Sequence, residues 1–174
     1  VKTLPVVHAH VVIKAGSGYG GIADLGAITA QMLKDGGTRS MASAELLRRV
    51  ETLGTDLAIS ARGDSTTISL KVTKDKLGEG LALLSQVVRE PRFDDGELAK
   101  LKKRQADEVE DALRSSGSFI AKYAMNHELF GAAHPYAMQD ALPGDLKKMD
   151  RAAVEGFHRK FYVPSNAVLI LAGD

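Results

Sequence analysis

The chain has 174 residues, 44% of them hydrophobic and 26% charged, which suits one globular domain with a sizeable core. Its 23 basic and 22 acidic residues leave a net charge of +1, without the basic excess or stripe that a nucleic-acid binder carries. No apolar run approaches the roughly 20 residues needed to span a bilayer, and the lack of cysteine excludes disulfides and thiolate metal ligands.

Val1 opens the chain without Met and without a basic-then-apolar leader, and "AVLILAGD" closes it abruptly. Both ends predict a mature product or a piece cut at a domain boundary. Pro5–Lys14, rich in Val and Ile, reads as a strand buried on at least one face. The loop "AGSGYGG" follows. Ile22–Lys34 takes a helical pattern, with Ile22, Leu25, Thr29, Met32 and Leu33 at spacings of three and four. "DGGT" stops it, glycine supplying a left-handed cap. Ser43–Leu53 is predicted as a second helix, capped by Ser43 and striped by Leu46, Leu47, Val50 and Leu53. Glu45 and Arg49 form an i,i+4 pair on its opposite face.

The period then changes to two. Leu57, Ile59 and Ala61 share one face, as do Thr66, Ile68, Leu70 and Val72, with Arg62-Gly63-Asp64 as turn chemistry between them. The expectation is a β-hairpin of Leu57–Ala61 and Ser65–Val72. Lys76–Arg89 is an amphipathic helix ending before Pro91. Glu97–Ser115 is a long charged helix whose apolar contacts are Leu98, Leu101, Val109 and Leu113. Phe119–Phe130 is another helix, and "GAAHPYAMQDALPGD" a loop. Asp150 caps a helix over Arg151–Phe161, Val163-Pro164 breaks it, and Ala167–Ala172 is the last strand. The order β, α, α, β, β, α, α, α, α, β predicts an α+β domain over residues 1–174: a mixed or antiparallel sheet with helices layered on one face.

Residue chemistry alone yields no catalytic constellation. His8 and His10 point the same way from one strand, a possible metal pair, but nearby sequence offers no third ligand; the alternative is two residues on the polar face of a sheet. His127-Glu128 and His134 lack the i,i+4 spacing of His-Glu-x-x-His. His134-Pro135-Tyr136 reads as turn structure, and His158 as a helix-surface residue beside Arg159 and Lys160. Gly16, Gly18, Gly20 and Gly21 lack the Gly-Lys-[Ser/Thr] ending of a phosphate loop and read as a flexible connection. Ser65, Thr66 and Thr67 lie on a strand with no nearby base, so they read as ordinary strand residues.

The order of phrases carries more. "VETLGTDL", "VVREPRFDDGELAKLK", "HPY" and the closing "FYVPSNAVLILAGD", spaced as they are from Val11 to Asp174, resemble the pitrilysin/insulinase family of zinc metallopeptidases. The branch resembled most is mitochondrial processing peptidase and its bacterial relatives. The resemblance implies that fold, and a zinc motif His-x-x-Glu-His on the helix after the first strand. Two His bind the metal, the Glu activates its water, and a second Glu roughly seventy to eighty residues on completes the site. Setting "AQML" against the family's "EHML" places Ala27 and Gln31 at the His positions and Ala30 at the catalytic Glu position. The distal position falls on or next to Glu108, which is 108 − 31 = 77 residues past Gln31 and reads as a relic or as a surface carboxylate beside Asp107, Glu110 and Asp111.

The resemblance therefore implies a chain that binds no zinc and hydrolyses no peptide alone. In the two-chain branch, one chain keeps the motif and the other has lost it. This implies a non-catalytic subunit or half that helps enclose an extended peptide, beside a partner bearing His-x-x-Glu-His and the zinc. Leu57, Ala58, Ile59, Ser60 and Ala61 resemble the sheet edge offered to that peptide, through main-chain hydrogen bonds. Two alternatives remain: a structural subunit like the core subunits of the respiratory cytochrome complex, or an active zinc peptidase built on His8, His10 and Glu108. The same resemblance implies a second, similar domain in a longer natural chain, and inclines towards the bacterial periplasm.

Overall fold

Alternation of apolar and polar side chains builds the sheet. A computed structural model describes residues 5–173, so Asp174 of the closing motif lies outside the described residues. The strands are β1 (Val6–Ile13), β2 (Leu57–Arg62), β3 (Ser65–Thr73) and β4 (Ala167–Gly173), antiparallel in the order β2-β3-β1-β4. Val7, Ala9 and Ile13 of β1, Leu57 of β2, and Thr66, Ile68, Leu70 and Val72 of β3 are buried. The register sets Leu70 between Leu57 and Ala9, so an apolar row crosses three strands. On the other face His8 pairs with Lys71, and both are exposed. A one-residue slip would exchange the two faces, so burial fixes the register.

The helices are α1 (Leu25–Asp35), α2 (Ser43–Thr52), α3 (Leu77–Arg89), α4 (Asp95–Ser115), α5 (Gly117–Phe130), α6 (Pro143–Lys148) and α7 (Arg151–Phe161). This is the α+β layer expected from the order of elements. Helix α1 is its centre, packed against β2, α7 and α4. Its Ile28, Met32 and Leu33 are almost fully buried and join Ile13, Leu46, Ile68, Leu84 and Phe157 in one core. Burying each such side chain contributes roughly 1.5–3 kcal/mol.

Local expectations meet tertiary contacts in several places. The N-cap of α2 is Ala42, not Ser43, and no side chain caps it. Arg49 does not pair with Glu45; its guanidinium reaches Glu79 of α3 at 3.2 Å. Leu113, expected as an apolar contact, is 38% exposed and lies outside the core. Helix α6 begins at the end of the expected loop and continues past it. It is six residues long, starts on Pro143, and Asp145 Oδ2 accepts from Leu142 N–H at 3.3 Å. A helix this short has too few periodic positions to register as one. Asp150 Oδ1 accepts from Ala153 N–H at 2.8 Å as predicted, while α4 and α5 start at Asp95 and Gly117, before the expected Glu97 and Phe119, on the unexpected caps Asp94 and Ser116.

The glycine loop is not a flexible connection. Residues 15–18 are buried. A Cβ on Gly16 would sit 1.8 Å from the carbonyl oxygen of Gly63, and one on Gly18 1.8 Å from that of Pro135. The loop is glycine-rich because the hairpin turn and the His-Pro-Tyr segment press on its backbone. Tyr19 and Tyr136 hold the same turn from outside, donating to Asp64 at 3.3 and 2.8 Å.

Candidate functional site

The residues singled out on α1 and α4 converge on one feature. Ala27 and Gln31, four apart, share a helical face. With Asp24, Gln105, Arg104 and Glu108 they line a cavity of about 240 Å³ between α1 and α4. Ala30 is turned into the core, 2% exposed, and does not line it. Gln31 Nε2 donates to Asp35 Oδ2 at 3.1 Å, and the Arg104 guanidinium reaches the same oxygen at 3.4 Å. Glu108 is exposed at the cavity's rim.

Asp24 gave no functional signal in the sequence, where it falls within the expected helix Ile22–Lys34; α1 instead starts at Leu25, with Asp24 as its N-cap. It occupies that position in the left-handed region (φ 60°), and its side chain makes no capping bond. Its N–H donates to Met138 O at 2.7 Å. The carboxylate turns across to α4, where Gln105 Nε2 donates to Oδ2 at 3.4 Å. The residue is 5% exposed. Burial pushes the carboxyl up to about 8, nearby Asp140 adds to the rise and Lys122 opposes it. At neutral pH it is a buried neutral acid.

The cavity's donor set does not fit zinc. The metal needs about three His, Cys or carboxylate ligands. Here one wall offers a methyl group and an amide, the Asp24 carboxyl is engaged by Gln105, and Glu108 stands alone. Among the described residues no group of three or more His, Cys, Asp or Glu is arranged to hold a metal ion. The set of His8, His10 and Glu108 is not brought together. The two rings stack, centroids 6.2 Å apart, on the sheet face turned away from the helices, whereas Glu108 lies in the helical layer.

The other histidines are structural. His127 Nδ1 lies 3.0 Å from Tyr123 O, and His134 Nδ1 accepts from Tyr136 N–H at 3.2 Å, the expected turn. His158 is half-buried rather than free on the helix surface. It stacks on Tyr162 at 4.8 Å, Nε2 lies 2.8 Å from Val88 O, and burial lowers its pKa. Thr66 is buried and donates to Ala15 O at 2.8 Å, so its role is in the strand.

Strand β2 is an edge, paired through Leu57–Arg62 to β3 on one side, with α1 packed across it. Leu57 faces the core, Ile59 and Ala61 are half-buried, and Ala58 and Ser60 are exposed. The other long edge, β4, exposes Val168, Leu169, Ile170 and Leu171. No helix among the described residues is long and apolar enough to cross a membrane.

Residues 2–130 match the model of the insulinase family, peptidase family M16. No curated protein matches the chain. Among solved structures, the inactive domain of a peptidase M16 from Pseudomonas fluorescens superposes with a TM-score of 0.92 at 27% identity. All of this chain is covered, and 42% of that one, so the chain spans less than half of its length. A Helicobacter pylori protease shares the fold with a TM-score of 0.83 at 20% identity, over all of this chain and 42% of the other. The periplasmic protease PqqL from Escherichia coli shares it at 0.77 and 16% identity, over 98% of this chain and 20% of that one.

Proposed function

From the premise that the chain belongs to the insulinase family, peptidase family M16, we propose that it is a zinc-motif-degenerate, non-catalytic subunit or half of such a peptidase. The cavity between α1 and α4 carries this reading. Ala27 and Gln31 stand where the family's histidines would be, Ala30 where its catalytic Glu would be, and Glu108 at the distal carboxylate position. A lone carboxylate does not retain zinc, and without a base no water is activated for attack. No hydrolytic step is assigned to this chain.

Its role is to help enclose and hold an extended peptide beside a homologous partner that bears His-x-x-Glu-His and the zinc. The free edge of β2, at Leu57, Ala58, Ile59, Ser60 and Ala61, supports this, because main-chain addition needs no special side chains and survives loss of the catalytic ones. The natural chain would continue into a second, similar domain and reside in the periplasm, the compartment of the Escherichia coli neighbour. Co-purification with a motif-bearing homologue, followed by peptide cleavage with and without this chain, tests the proposal. The expected result is a stable complex whose cleavage rate falls when this chain is left out. A partner equally active alone would refute it.

A further inference from the structure

A second cavity, of about 160 Å³, lies away from the α1–α4 cleft, and arginines dominate its wall: Arg39, Arg89 and Arg159, over a base of Pro91, Phe93 and His158. The three come from different elements locked together by main-chain bonds. Thr38 and Pro91 form an isolated antiparallel bridge, Arg39 N–H donates to Glu90 O at 2.8 Å, and Arg92 N–H to Gly37 O at 3.1 Å. These bonds fix Arg39 beside the end of α3, which carries Arg89. Arg159 arrives on α7, which His158 ties to α3 through Val88 O, with the Phe93 ring set edge-on to His158 at 5.4 Å. The backbone of the site is thus preassembled.

Its charges are not compensated. Among the described residues none of the three guanidinium groups has an ion-pair or hydrogen-bond partner, while neighbouring arginines do: Arg49 with Glu79, Arg92 with Asp94, Arg151 with Asp95 and Glu155. Glu155, the one carboxylate in the wall, is engaged by Arg151 at 2.7 Å. Three like charges around one concavity repel each other unless an anion sits between them. Guanidinium forks match carboxylate and phosphate oxygens two at a time.

We infer that this cavity is an oxyanion site, taking a phosphate or carboxylate group between Arg39, Arg89 and Arg159. The inference is independent of the peptidase-subunit reading. It is tested by titrating the chain with sodium phosphate and, separately, sodium acetate at an ionic strength held constant with sodium chloride, following the arginine Nε–H signals by NMR. The expected result is a saturable shift of the Arg39, Arg89 and Arg159 signals with a Kd on the order of 1 mM, weakened about tenfold by Arg39→Gln or by Arg159→Gln. Tighter binding of phosphate identifies a phosphoryl source; equal or tighter binding of acetate identifies a carboxylate source, as on an acidic peptide. Shifts that do not saturate, that chloride reproduces, or that persist unchanged in both variants would overturn the inference. The two variants sit on separate, exposed positions, so a folding defect in one leaves the other informative.

Discussion

Asp24→Asn exposes the consequence of burying an acid in the wall of the α1–α4 cavity. The carboxyl ordinarily titrates at 3.8, and burial raises it to about 8. Below 3.8 both folded and unfolded chains hold the proton and the group is neutral to stability. Between 3.8 and about 8 the unfolded chain has released it and the folded chain has not. Each pH unit in that interval therefore removes about 1.36 kcal/mol from the folded state, and the loss is complete above 8. At pH 7 the penalty is about 4 kcal/mol, an upper figure because the groups facing Asp24 can relax: Gln105, Arg104 and Glu108 from α4, Lys122 from α5, and Asp140 from the following loop. Asn keeps the shape, can accept from Gln105, and tolerates the left-handed backbone. Urea unfolding of the two chains at pH 4, 7 and 9 measures the effect. The variant is expected to match the parent at pH 4, to exceed it by about 2–4 kcal/mol at pH 7, and to hold that margin or widen it at pH 9. A difference independent of pH would refute the argument, since a packing effect does not titrate.

Three further outcomes follow. Ala27→His with Gln31→His places two imidazoles one helical turn apart facing Glu108. After dialysis this double variant should retain about one zinc per chain by metal analysis, lost again with Glu108→Ala, while each single variant stays metal-free; a metal-free double variant would remove Glu108 from the distal position. Gly16→Ala drives a Cβ to 1.8 Å from a main-chain oxygen and should cost about 2 kcal/mol or more, whereas Gly144→Ala, with nothing within 4 Å, should raise the melting temperature slightly. An extended peptide bound at the β2 edge should lose about tenfold in affinity, by fluorescence anisotropy, when one residue is N-methylated at a pairing N–H. Equal binding of the methylated peptide would place the contact elsewhere.

Wherever local periodicity and burial agree, the elements were legible in the residues. Arg151–Phe161 and its Asp150 cap are as expected, and the hairpin faces follow from Leu57, Ile59, Ile68 and Leu70. Where a partner distant in sequence competes, local reasoning fails. Arg49 prefers Glu79 to Glu45, thirty residues against four, because α2 and α3 bring those side chains together. His158 looks solvated between charged neighbours, yet its position on α7 aims it at Phe93 and Val88. The glycines of "AGSGYGG" look flexible until Gly63 and Pro135 are seen against them.

The same division holds for the site. By itself the sequence determined the layered α+β plan, because alternation and helical spacing are properties of neighbouring residues, and it determined the poverty of α1 in ligands, because Ala27, Ala30 and Gln31 lack the necessary atoms wherever they lie. That Ala27, Gln31 and Glu108 border one cavity, that Asp24 turns from its helix to Gln105, 81 positions away, and that three arginines from separate segments surround one hollow were decided by tertiary structure. Each depends on which backbones touch, and apolar burial across the whole chain, rather than any local preference, selects those contacts.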